Sequence, residues 1–169
     1  GAYQARSPIA NQQRCVNLYP EENQKDAEAP VTHYQTPGLA ALINDGVPGT
    51  WRGLYMANND VLYGVRDSAV YAIANDWTKV QIGTIPSNST PVSMGDNGID
   101  LVLVDGSTSG WSVHLANNAF AAIVDPNFFG GDFVKYMNGF FILNVPGTKK
   151  FYSSGLFALT FNALDFAQK

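Results

Sequence analysis

Val61-Leu62-Tyr63, Leu101-Val102-Leu103 and Phe141-Ile142-Leu143 are three apolar triplets beginning at positions 61, 101 and 141. Ten residues after each start stands an aromatic side chain: Tyr71, Trp111 and Phe151. Two positions recurring at one step in three copies argue for a structural repeat. Each triplet is followed by a turn signal, Arg66-Asp67-Ser68, Asp105-Gly106-Ser107 and Pro146-Gly147-Thr148. Each is also preceded by one, Asn58-Asn59-Asp60, Asp96-Asn97-Gly98 and Asn138-Gly139. A methionine stands before the earlier turn in every copy (Met56, Met94, Met137), with a spacing that slips by a few residues. Asx-Gly pairs supply the positive φ that tight hairpin turns need.

A unit of about 40 residues with this punctuation holds about four strands and is the size of one β-propeller blade. The first unit reads as strands over 52–57, 61–66, 69–74 and 79–85. The second reads as 91–96, 100–105, 111–115 and 120–124, and the third as 132–137, 140–145, 149–154 and 159–161. The two middle strands are the most apolar of each unit, as expected of strands covered on both faces. The expected fold is all-β: a partial β-propeller of about three four-stranded antiparallel blades (about 51–90, 91–130 and 131–169) with an extended N-terminal arm. A propeller closes with typically about four to eight blades, so the three blades are expected to be part of a larger ring, completed by further sequence or by other copies. The competing reading is a single large sandwich or barrel whose period is chance.

Residues 1–50 differ in composition. They hold Pro8, Pro20, Pro30, Pro37 and Pro48, and the polar run Glu21-Glu22-Asn23-Gln24-Lys25-Asp26-Ala27-Glu28. Proline withholds a sheet donor, so this part reads as an arm with turns. Leu39-Ala40-Ala41-Leu42-Ile43, ahead of Asn44-Asp45-Gly46, reads as a strand ending in a turn, with a short helix as the alternative.

The composition narrows the functional classes. Of 169 residues, 46 % are hydrophobic and only 14 % charged, which supports a packed core and argues against disorder. Lys plus Arg is 10 and Asp plus Glu is 14, a net charge of −4. That balance argues against a nucleic-acid reader built on a basic stripe. The single cysteine, Cys15, excludes an intrachain disulfide and a cysteine metal cluster. No signal-peptide pattern and no apolar run long enough to span a membrane is seen in the sequence.

Candidate chemistry is sparse. His33 in the arm and His114 on an apolar strand lack partners at ligand spacing, so no metal site is expected. Cys15 reads as a small buried thiol more than as a nucleophile. Asp96-Asn97-Gly98-Ile99-Asp100 has oxygen ligands at alternate positions, but it occupies a hairpin slot of the repeat. Asp105-Gly106-Ser107-Thr108-Ser109-Gly110 reads as a Gly/Ser turn without a histidine base beside it. No catalytic, cofactor-binding or metal residue is therefore assigned, and no enzyme activity is expected. Two alternatives remain. A sialidase-like glycosidase propeller would need clustered arginines, for which Arg6, Arg14, Arg52 and Arg66 are the candidates. A carbohydrate- or peptide-binding propeller would use Trp51, Trp77 or Trp111 as stacking platforms.

A series of segments resembles one family. Arg14-Cys15-Val16-Asn17-Leu18-Tyr19-Pro20-Glu21, Thr36-Pro37-Gly38-Leu39 and Arg52-Gly53 come first, then Gly83-Thr84-Ile85, Val92-Ser93-Met94-Gly95-Asp96-Asn97-Gly98 and Asp105-Gly106. Together they are similar to the packaged-DNA stabilisation proteins of short-tailed bacteriophages, the tail hub or head-closure proteins. Phe161-Asn162-Ala163-Leu164-Asp165-Phe166-Ala167 resembles the link into that family's next blade. The resemblance implies a virion structural protein, located at the tail or neck and in the host cytoplasm during assembly. It implies contacts with a portal or adaptor ring and a tail needle, association into a ring, and at most non-specific contact with packaged DNA. It transfers no catalytic residue. A mildly acidic channel wall is a further expectation, since like charge lets DNA slide.

Overall fold

A computed structural model describes residues 18–23, 25, 31–36, 38, 40, 41, 43, 45–86 and 89–168. No α-helix occurs among them. The chain divides into two compact units, 1–42 and 43–169.

In the first unit, β1 (Leu18–Glu22) and β2 (Val31–Gln35) form an antiparallel pair in the register Leu18↔Gln35, Pro20↔His33 and Glu22↔Val31. The arm therefore holds a hairpin that its prolines did not suggest. Both strands of a two-stranded sheet keep an open edge, so Pro20 sits in β1 without breaking a central ladder. Asn23 Nδ2 donates to Thr32 Oγ1 at 2.7 Å across the pair. The strand expected over 39–43 is corrected: its described residues, Ala40, Ala41 and Ile43, are irregular backbone, while Leu39 and Leu42 lie outside the described residues.

The second unit is three four-stranded antiparallel meanders in chain order, a partial β-propeller. The first blade is β3 (Trp51–Met56), β4 (Leu62–Arg66), β5 (Ala69–Ile73) and β6 (Lys79–Thr84). The second is β7 (Ser93–Asp96), β8 (Asp100–Val104), β9 (Gly110–His114) and β10 (Ala119–Ala122). The third is β11 (Val134–Met137), β12 (Phe140–Asn144), β13 (Lys150–Ser154) and β14 (Phe161–Gln168). Eleven strands start and end close to their expected positions. The twelfth, β14, is displaced: it begins where the expected strand ended and runs on to Gln168, with a register shift opposite Tyr152–Ser154. The 161–167 segment read as a link is therefore the outer strand that satisfies the free ladder of β13.

The blades pack face to face. Tyr63, Val65, Val70 and Ala72 of the first meet Leu101, Leu103, Trp111 and Val113 of the second in one buried cluster. Val102 and Val104, on the opposite face of β8, meet Val134, Phe141, Leu143 and Tyr152 of the third, with Phe128 and Phe161. Alternation along β8 thus serves two cores at once, and each fully buried side chain contributes about 1.5–3 kcal/mol.

Pairing also corrects the repeat. Leu62 pairs with Ile73 and Leu101 with Val113, so Leu62-Tyr63-Gly64, rather than Val61-Leu62-Tyr63, matches Leu101-Val102-Leu103. The turn after the second strand lengthens by one residue per blade: Asp67-Ser68, then 106–108, then 146–149. Tyr71 pairs with Gly64, Trp111 with Leu103 and Tyr152 with Leu143. The third aromatic of the repeat is therefore Tyr152, 1 % exposed, while Phe151 points to the other face at 45 %. One extra turn residue exchanges the faces of a strand.

Turn geometry follows composition. Asn138 (φ 51°) and Gly139 (φ 90°) both lie at positive φ between β11 and β12, the pattern of a type I′ hairpin. Asp45-Gly46 is not a hairpin; it lies on the approach to the first blade.

Candidate functional site

Arg52, at the start of β3, is buried and densely hydrogen-bonded. Its Nε donates to the Thr90 carbonyl at 2.8 Å, and Nη1 donates to the carbonyls of Asp67 (2.7 Å) and Pro86 (3.0 Å). Nη2 lies 3.4 Å from Asp105 Oδ2 of the second blade. Asp105 Oδ1 accepts from the Ser107 hydroxyl at 2.6 Å, and its carbonyl accepts from Thr90 Oγ1 at 2.6 Å. One guanidinium thus ties the first blade, the segment leading to the second, and the second blade's β8–β9 turn. Asp105 and Ser107 act as a turn anchor, which fits the Gly/Ser-turn reading.

A second tie stands at the opposite end of the blades. Asp96 accepts from Asn58 Nδ2 of the first blade and, at 2.8 Å, from its own turn amide Gly98. Asp96 is buried, and its carboxylate together with burial raises the Tyr55 phenol above its ordinary value, burial being the larger cause. Asn59 Nδ2 donates to Tyr63 Oη at 3.0 Å and to the Leu115 carbonyl at 3.1 Å, while Tyr63 donates to Asn118. The 96–100 segment is the hairpin it was expected to be, with Asn97 Oδ1 accepting from the amides of Ile99 and Asp100. In the third blade, Tyr152 donates to the Gly130 carbonyl at 2.6 Å, and burial holds its phenol well above the usual range.

The exposed face of the first blade carries a carboxylate clamp. Arg66 Nη1 lies 3.1 Å from Asp45 Oδ1 and Nη2 lies 3.0 Å from Oδ2, a two-pronged pairing, and Lys79 also bonds Oδ2. The Arg66 guanidinium sits 5.6 Å from the Trp51 ring centroid and 5.5 Å from that of Tyr71; Lys79 Nζ is 4.7 Å from Tyr71. The hydrogen bonds from Arg66, then Lys79, hold the Asp45 carboxyl far below the ordinary carboxylate range. Sequence reading missed this site because 21 and 34 residues separate Asp45 from its partners; the only signal was a misplaced Asx-Gly pair.

A cavity of about 440 Å³ opens between the starts of β7 and β11. Pro91, Val92, Ser93 and Phe133 line it with Asp105 and Asp132. Asp105 faces Arg52, and Asp132 Oδ2 accepts from Asn144 Nδ2 at 2.6 Å.

The sequence candidates do not converge. Arg52 and Arg66 occupy opposite faces of the first blade and share no ligand; Arg6, Arg14 and Cys15 lie outside the described residues. Trp111 is core, not platform. Trp51 is 36 % exposed and Trp77 44 %, but they stand at opposite ends of the blade, one at the start of β3 and one in the β5–β6 turn. His33 is exposed on β2, and His114 Nδ1 lies 2.9 Å from Asp100 Oδ1 at the surface. Among the described residues no group of three His, Cys, Asp or Glu side chains is placed to hold a metal. β7 carries Asp96, buried in a hydrogen-bond network, and β11 carries Lys135.

No family model matches the chain, and no curated protein matches it. Among solved structures, the Pan2 WD40 domain of Neurospora crassa aligns at TM-score 0.48 and 10 % identity, over 70 % of this chain and 36 % of that one. A structural genomics protein of unknown function from Bacteroides thetaiotaomicron aligns at TM-score 0.44 and 13 % identity, over 82 % and 35 %. The chain thus spans about a third of the length of these structures.

Proposed function

We propose that this chain is a non-enzymatic β-propeller segment of a bacteriophage virion, part of the tail or neck hub that closes the portal channel and retains packaged DNA. The observation that carries the reading is the ordered series of segments similar to the packaged-DNA stabilisation family, running from Arg14 to Ala167. The architecture suits such a role. Ties such as Arg52–Asp105 and Asn58–Asp96 make successive blades one stiff block, and a separate hairpin unit precedes them. Function is then mechanical: blocks arranged in a ring narrow a channel, and many weak contacts to portal, adaptor and needle act together through effective concentration.

The test is reconstitution of the full-length gene product with portal and adaptor rings. Co-sedimentation in one particle is expected; a full-length protein that never joins such particles refutes the assignment. A carbohydrate- or peptide-binding module is the second reading, favoured by the Trp51–Tyr71 pair, whose ring centroids lie 6.0 Å apart on the exposed face. Glycan or peptide binding lost on Trp51→Ala would support it instead.

A further inference from the structure

Tyr71, Trp111 and Tyr152 occupy the same position of successive blades. Trp111 is buried against the first blade and Tyr152 belongs to the core between the second and third. Within the second unit no sheet packs on the Tyr71 face. Leu54 and Met56 there are more than half exposed, and the Asp45 side chain occupies the Arg66–Lys79 clamp. The clamp has the chemistry of a carboxylate receptor: a forked guanidinium, an ammonium and an aromatic floor.

The other unit has the complementary need. β1 and β2 form a sheet of two strands, and such a hairpin alone is marginally stable in water. It exposes Glu21 and Glu22, neighbours on one strand, so a carboxylate points to whichever side docks.

We propose that the β1–β2 hairpin of one copy docks on the Tyr71 face of the first blade of a second copy, with a carboxylate of the Glu21-Glu22 pair replacing Asp45 in the clamp. Asp45 is then an internal occupant that lowers the apparent affinity by keeping the receptor filled. The inference needs only self-association, and it stands whether or not the viral reading holds.

The experiment is sedimentation velocity on the 169-residue chain over a concentration series. The wild type is expected to dimerise reversibly. Asp45→Asn removes the internal carboxylate from the clamp and is expected to tighten association by about tenfold. Glu21→Lys with Glu22→Lys is expected to abolish it while leaving the blades' unfolding transition unchanged. Adding Lys79→Glu to that pair restores association by exchanging the charges. A chain that stays monomeric throughout, including one whose hairpin folds onto its own first blade, overturns the proposal. So does a dimer indifferent to Asp45→Asn and to the Glu21/Glu22 reversal.

Discussion

Arg52 of the first blade and Asp105 of the second form an ion pair at 3.4 Å with side-chain exposures of 3 % and 0 %. Neither charge tolerates being left alone at that depth, because desolvation without a partner is the dominant cost. Asp105→Ala is therefore expected to destabilise the second unit by about 3–5 kcal/mol. Urea unfolding reads this directly; a loss within the range of an ordinary surface substitution would show that the tie between blades carries no weight.

Gly53 lies where β3 approaches the segment entering β7, and a Cβ there would strike the Val92 carbonyl. Backbone cannot swing aside as a side chain can. Gly53→Ala is expected to cost about 1–3 kcal/mol through forced separation of the first two blades. Gly98→Ala has open space around its Cβ but a φ of 84°, so its cost comes from backbone strain within one turn. Hydrogen exchange separates the two: loss of protection in β3 and β7 is expected for Gly53→Ala alone.

The Asp45 carboxyl is held far below its ordinary value by Arg66 and Lys79. A depressed folded-state pKa gives stability that is present above the unfolded value and lost as pH falls toward the folded one. The stability difference between wild type and Asp45→Asn is expected to be constant near neutrality. It should shrink progressively as the medium is acidified below the ordinary carboxylate range. A difference that instead grows on acidification would contradict the clamp.

Much of the fold was legible because alternation and turn chemistry agree locally. The apolar middle strands, the Asn138-Gly139 hairpin and the three-blade count are all carried by residues adjacent in sequence. What failed was long-range accounting. The period of 40 read from Tyr71, Trp111 and Phe151 conceals a step of 39 in the second strands, with turns that lengthen by a residue, so the wrong aromatic was aligned in the third blade. The β1–β2 hairpin was hidden because Pro20 argues against a strand unless both neighbouring edges are known to be open. The Arg66 clamp was hidden because a carboxylate's partner is chosen by the folded face, not by spacing.

The pair Tyr152 and Phe151 tests the blade architecture most directly. Tyr152 is buried between the second and third blades, whereas its neighbour Phe151 faces outward. Tyr152→Ala is expected to lose about 3–5 kcal/mol and Phe151→Ala no more than about 1 kcal/mol by urea unfolding. Equal losses, or the larger loss at Phe151, would contradict three sheets stacked face to face in this register.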